Sequence, residues 1–140
     1  GHLAGSQVLR EVGILLRRLS PQDASIAARY GGDEFVVALP GKDLQEGIEV
    51  AEMLRTEIVT TTFCSEPGEI QLDPIYLNGL TCSIGVASLE RHMDSDLSVE
   101  ECKSTLLRLA DAARYVAKEP GRNRTATAGE TIRRRQYAVD

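Results

Sequence analysis

The sequence predicts an α+β domain in which helices flank a mostly antiparallel central sheet, and three observations carry that prediction. Two short apolar runs, Ile26-Ala27-Ala28 and Phe35-Val36-Val37-Ala38-Leu39, flank Gly31-Gly32-Asp33-Glu34 and have the length of buried strands joined by a tight turn. Apolar residues recur at helical spacing in three segments. No repeat or internal linker interrupts the pattern, so strands and helices belong to one layered domain.

Each element can be justified in chain order. From Gln7 to Leu19 the residues Val8, Leu9, Val12, Leu15, Leu16 and Leu19 form one helical face, which Ser20-Pro21 ends. The hairpin follows. A second helix runs from about Leu44 to Val59 with Leu44, Ile48, Ala51, Leu54 and Ile58 inward, weakened in its first turns by Gly47. Glu69 to Leu77 reads as a strand that Pro74 confines to an edge or a bulge. Asn78-Gly79 is a hairpin turn into Leu80–Val86, where Cys82, Ile84 and Val86 alternate with Thr81, Ser83 and Gly85. The third helix, Val99 to Ala117, carries Val99, Cys102, Leu106, Leu109, Ala113 and Val116 on one side, a stripe that core packing explains by itself. Residues 125 to 128 add a short last strand, and 129–140 form a polar tail in which Arg133-Arg134-Arg135 is a solvated cluster.

Composition narrows the function classes. A chain of 140 residues with 42% hydrophobic and 26% charged content can bury a core as one domain, and no apolar stretch approaches bilayer-spanning length. With no secretory signal visible, a cytoplasmic domain without membrane contact is expected, on a parent whose anchoring is open; the chain begins with Gly, as an excised piece would. The net charge of −5 argues against a general nucleic-acid binder and points to a small, metal-screened ligand. Three widely spaced cysteines, Cys64, Cys82 and Cys102, read as reduced thiols, with Cys82 packing in the core. His2 and His92 share no local scaffold, so structural roles are expected for both.

The chemistry concentrates at the hairpin tip. Gly31 and Gly32 leave the backbone bare, and Asp33 and Glu34 place hard oxygen donors beside it, a set that suits Mg²⁺ when a substrate's phosphates complete the shell. Taken alone, Gly-Gly followed by acids is equally ordinary turn chemistry. Arg29 reads as a strand-end structural partner rather than an orienter of the site. After the last helix, Lys118 offers a point charge and Arg122 a planar fork; both also fit as cations favoured by a helix C-terminus.

Arg29-Tyr30-Gly31-Gly32-Asp33-Glu34-Phe35 resembles the signature of the GGDEF domain, the diguanylate cyclase family. The resemblance extends to Gly1-His2 with Gly5 and Leu9, to Leu39-Pro40, to Thr81-Cys82-Ser83-Ile84-Gly85-Val86-Ala87, to Ala110-Asp111-Ala112-Ala113-Arg114-Tyr115, and to Ala117-Lys118-Glu119-Pro120-Gly121-Arg122-Asn123-Arg124. It covers residues 1 to about 124, so the domain is drawn at 1–128. It implies a palm-like nucleotide cyclase fold lacking its first strand, and the condensation of two GTP molecules into cyclic di-GMP with release of pyrophosphate. It further implies that Asp33 and Glu34 hold Mg²⁺ or Mn²⁺ and serve catalysis, that Gly31 and Gly32 admit the nucleotide, and that Lys118 and Arg122 bind its phosphates. Two domains face to face, as a homodimer, and an upstream sensory or receiver domain complete the implied assembly.

Departures from the family pattern matter as much. The preceding strand, which in the family brings an aspartate and a backbone carbonyl to the metal, is not in these residues. Where the family places an acid that reads guanine stands Ser6, which has no carboxylate to offer the two guanine N–H groups. Besides the cyclase reading, two others follow: a degenerate, inactive domain that senses GTP or cyclic di-GMP, and a purely dimerising core. The family's inhibitory RxxD motif aligns with Gln22-Asp23-Ala24-Ser25, where neither arginine nor aspartate is in register, so no inhibitory site is assigned. Isothermal titration with cyclic di-GMP is expected to show no tight binding there; submicromolar binding abolished by changing Gln22 and Ser25 refutes this.

Overall fold

The computed structural model of the chain describes residues 2–20, 24–92, 96–119 and 121–128. Gln22 and Asp23 of the Gln22–Ser25 stretch and the tail from 129 lie outside them. The elements are α1 (His2–Leu19), β1 (Ile26–Gly31), β2 (Glu34–Ala38), α2 (Leu44–Thr60), β3 (Ile84–Val86), α3 (Leu89–His92), α4 (Val99–Lys118) and β4 (Thr125–Thr127). The mix of helices with small sheets is α+β, and two compact units divide it: residues 1–41 with 56–80, and residues 42–55 with 81–140.

In the first unit, helical periodicity puts Ala4, Val12, Leu15 and Leu16 on the buried side of α1. The helix stops at Ser20, whose N–H and hydroxyl both donate to the Leu16 carbonyl, at 3.0 and 2.6 Å. Phe63 and Cys64, each 1% exposed, are the deepest large side chains, and burying a ring of that size is worth about 2 kcal/mol. Residues 69–77 do not form the strand that their composition predicts. Instead Phe63 and Leu77 exchange two backbone hydrogen bonds of 2.8 Å, and the Cys64 carbonyl accepts from Ile75 at 2.9 Å and from Tyr76 at 3.3 Å. Pro74 has no N–H to give, and Tyr76 turns through a φ of +50°, so the ladder ends after one bridge.

That irregular loop is tied to α1 by polar contacts. The Cys64 N–H donates to the Glu11 carboxylate at 3.0 Å, Gln7 donates to the same carboxylate at 3.0 Å, and Arg10 pairs with Glu69. The anion thus satisfies a backbone donor that a regular strand would have paired.

In the second unit, β3 and β4 pair in parallel, Ile84 with Thr125, Gly85 with Ala126 and Val86 with Thr127, as two strands joined through an intervening helix can. Helix α4 starts with a complete capping box: Glu101 N–H donates to Ser98 Oγ at 3.2 Å, and Ser98 N–H to Glu101 Oε2 at 2.9 Å. The same device starts α2, where Glu46 N–H donates to Asp43 Oδ1 at 2.8 Å. Burial along α4 is graded. Ala113, Val116 and Ala117 are buried, Cys102, Leu106 and Leu109 only half-buried, and Val99 is 85% exposed, so the predicted stripe is core only in its second half.

Among the glycines of the described residues, Gly85 makes the closest backbone approach, against α4. A Cβ there would lie 2.0 Å from the Ala110 carbonyl oxygen and 2.2 Å from the Arg114 nitrogen, both backbone atoms that cannot yield. Gly13, on α1, is the opposite case, because its Cβ would meet Phe35 Cε1 at an ordinary 3.6 Å. Gly85→Ala is therefore expected to cost about 3 kcal/mol, whereas Gly13→Ala should stabilise by about 0.5–1 kcal/mol through helix propensity. Urea unfolding of the two variants checks this; a Gly85→Ala midpoint equal to the parent's refutes the close approach.

Candidate functional site

The hairpin of the first unit is built by its turn. β1 and β2 pair antiparallel from Ile26 with Ala38 to Arg29 with Phe35, and then Gly31 pairs with Glu34, leaving Tyr30 as an extra residue in β1. Such a bulge sharpens the local twist and re-aims the end of the strand. Gly32 and Asp33 alone make the turn, with Gly32 at a φ of +48°, the left-handed value a two-residue hairpin demands and glycine accepts without strain. Arg29 Nε donates to the Gly32 carbonyl at 2.8 Å, bracing the turn from the strand that precedes it.

The turn exposes what the site needs. Apart from each glycine and its chain neighbours, no heavy atom of the described residues lies within 4 Å of where a Cβ on Gly31 or Gly32 would stand, so a ligand can approach the main chain. Asp33 is exposed in the turn; Glu34, at the start of β2, is half-buried and already engaged in an interaction. Ser6 is half-buried on α1 in the same unit. β1 itself is mostly open: Ile26 is 62% and Tyr30 68% exposed, against the expectation of a buried strand. Apolar composition sets strand propensity; burial also requires an element across the sheet face.

Lys118 and Arg122 belong to the second unit. Lys118 closes α4, half-buried, and Arg122 is exposed; neither has a hydrogen-bond or ion-pair partner among the described residues. The connection between them is held by Glu119 N–H donating to the Val116 carbonyl at 3.1 Å and by Arg124 Nη1 donating to the Glu119 carbonyl at 3.2 Å. Arg122 and Asn123 both have positive φ, +55° and +47°. Asparagine tolerates that conformation; for arginine it costs about 1–2 kcal/mol.

Other candidate groups are structural. The Ser88 N–H donates to Nδ1 of His92 at 3.0 Å, and burial together with Arg91 pushes the imidazole's pKa below 6.5. Burial raises the Cys82 thiol to about 11, with Arg55 opposing and Glu52 adding, and burial with Glu11 raises Cys64, so both stay protonated and inert at neutral pH. All three cysteines are free thiols, and Cys64 rather than Cys82 is the fully buried one. Among the described residues, no group of three or more His, Cys, Asp and Glu side chains is placed to hold a metal. Two carboxylates, Asp33 and Glu34, are too few donors to hold a divalent cation by themselves, so a cation at the tip would need further oxygen ligands from outside the described residues. No helix among the described residues is long and apolar enough to cross a membrane.

This arrangement, a two-residue Gly-Asp turn with a bare backbone on a bulged hairpin, sits inside a chain whose residues 1–124 match the family described as diguanylate cyclase, GGDEF domain. The chain belongs to the GGDEF family. It is 36% identical over 129 residues to the diguanylate cyclase DgcP of Pseudomonas aeruginosa, covering 91% of this chain and 16% of that protein. It is also 36% identical over 124 residues to diguanylate cyclase A of Treponema denticola, covering 89% and 29%. The chain therefore spans less than a third of either relative. Among solved structures, it is similar to the GGDEF domain of DgcB from Caulobacter crescentus in complex with c-di-GMP, with a TM-score of 0.71 at 29% identity over 92% of this chain and 67% of that one.

In this GGDEF domain one contact of the loop after α4 escapes sequence reasoning. Arg55 Nη1 donates to Asn123 Oδ1 at 3.0 Å across 68 positions of sequence, and no local pattern announces it. Asn after Pro-Gly-Arg is a turn residue, which is the one available signal. The two glycines of the tip separate cleanly by stability: Gly32→Ala should cost about 1 kcal/mol for its left-handed φ, while Gly31→Ala should stay within about 0.5 kcal/mol of the parent. Equal losses in thermal unfolding would refute the turn geometry.

Proposed function

We propose that this domain is the nucleotide-binding and catalytic half-site of a diguanylate cyclase, joining two GTP molecules into cyclic di-GMP. The observation that carries the reading is the exposed Asp33 beside an unobstructed Gly31-Gly32 backbone, in a chain of the GGDEF family. In each half-reaction a ribose 3′-oxygen forms a bond to the α-phosphorus of the facing GTP. The bond from that phosphorus to the bridging oxygen breaks, pyrophosphate leaves, and the hydroxyl proton passes to a base.

Asp33 and Glu34 would hold Mg²⁺ or Mn²⁺, which when bound neutralises charge on the phosphate chain. Gly31 and Gly32 let the triphosphate lie against main-chain N–H groups, as a side chain there would prevent. Lys118 and Arg122 would bind the outer phosphates, one as a point charge and the other as a fork. Ser6 offers the base a single hydroxyl, so discrimination for guanine rests on weaker hydrogen bonding than a carboxylate gives. Because one domain holds one GTP, turnover requires a second copy across a two-fold axis. Regulation by an upstream sensory or receiver domain in a cytoplasmic setting fits the reading.

A second reading has its own support: with Ser6 in place of an acid and a two-carboxylate donor set, the domain binds GTP or cyclic di-GMP as a sensor, or serves as a dimerisation module, without turnover. The experiment is product formation by the full-length protein carrying this domain, with and without Asp33→Asn. The cyclase reading expects at least a roughly 100-fold fall in cyclic di-GMP formation, and the same fall when divalent cations are chelated. Undiminished turnover in either arm overturns it. No turnover by the unmodified protein, with GTP still raising its melting temperature, selects the sensor.

A further inference from the structure

The loop after α4 holds Arg122 in a conformation that its own residue type disfavours. Arg122 and Asn123 are consecutive non-glycine residues at positive φ, +55° and +47°. Strained backbone of this kind persists where the surroundings over-determine it. Downstream, the Ile84 N–H donates to the Arg124 carbonyl at 2.9 Å and the β3–β4 ladder begins at once with Ile84 and Thr125. Upstream, the end of α4 is fixed by the Glu119 and Arg124 hydrogen bonds described above. Those contacts anchor the backbone on either side of the loop.

A third element reaches the middle of it. Arg55, on α2, is paired with Glu52 one turn earlier and is 24% exposed at its side chain, so its guanidinium is already ordered. Its Nη1 donates to Asn123 Oδ1 at 3.0 Å. Arginine has only donors, which fixes the amide so that its oxygen faces α2. The residue held in this way is the one bonded directly to Arg122.

We propose that Arg55 and Asn123 are positioning residues: their hydrogen bond locks the left-handed pair 122–123 and so presents the Arg122 guanidinium to the nucleotide's phosphates. The inference rests on the assignment of Arg122 to the triphosphate. Asparagine suits the post because it accepts positive φ and supplies the acceptor together; glycine would supply only the first and aspartate both.

The test is a double-mutant cycle read by titration of the 140-residue chain with GTP and Mg²⁺, together with hydrogen exchange of the amides of residues 121–124 in the free protein. Arg55→Ala and Asn123→Gly are each expected to weaken GTP binding roughly 3- to 10-fold and to speed exchange in that loop, while Asn123→Asp keeps both near the parent. In an Arg122→Ala background, Arg55→Ala should weaken binding no further, a coupling that a merely structural role would not produce. Arg55→Lys, which keeps stem and charge without the fork, serves if the alanine variant fails to fold, and is expected to behave as a partial loss. Additive losses, or an Arg55 variant with unchanged affinity and exchange while Arg122→Ala weakens binding, overturn the positioning role and leave the phosphate assignment standing. An Arg122→Ala variant that binds GTP as the parent does, or a parent chain that binds none, removes the phosphate assignment and this inference with it.

Discussion

Side chains alternate along a strand, so slipping the β1–β2 pairing by one residue would turn the whole hairpin over and move its acids to other faces. The two-residue turn at Gly32-Asp33 is the constraint that forbids the slip. It closes only because Gly32 adopts a φ of +48°, and it leaves Asp33 in solvent while Glu34 enters the ladder opposite Gly31. Two adjacent carboxylates thereby acquire different surroundings. The bulge at Tyr30 and the Arg29 hydrogen bond to the Gly32 carbonyl are consequences of the same geometry, one absorbing the odd residue and the other satisfying a turn oxygen.

Both compact units use a side chain from a helix to secure an irregular segment that no ladder secures. In the first, Glu11 takes the Cys64 N–H and so ties the following loop to α1. In the second, Arg55 takes the Asn123 amide oxygen. Charged hydrogen bonds suit this work, because a half-buried ion that loses its partner pays its desolvation in full, and the geometry is correspondingly hard to leave. Packing does the same service where backbones meet: β3 reaches α4 only because Gly85 has no side chain.

The three long helices were legible because each carries its own information. A stripe of apolar residues at three- and four-residue steps needs no partner to be recognised, and Ala51, Leu54 and Ile58 or Val12, Leu15 and Leu16 are buried as their spacing requires. The hairpin was legible for a related reason, since a Gly-Gly step between apolar runs encodes both turn and strands locally. Strand partners were not. Leu77 reads as the end of a strand leading into Leu80–Val86, yet it pairs with Phe63, and β3 shortens to Ile84–Val86 because β4 offers it only three residues to pair with. Hydrogen bonds between strands satisfy the same donors and acceptors whichever strand supplies them, so sequence specifies the need for a partner more sharply than its identity.

What the sequence by itself determined is chemistry and local conformation: helices where apolar spacing is helical, a turn where glycine permits one, and the acids Asp33 and Glu34 and the cations Lys118 and Arg122 at fixed positions along the chain. What only the tertiary structure decided is accessibility and restraint. Whether Ile26 and Tyr30 are covered, how far along α4 the core extends, and that Arg55 grips Asn123 all depend on which distant segments meet. Burial and long-range hydrogen bonds are properties of pairs brought together by folding, and no window of neighbouring residues contains both members.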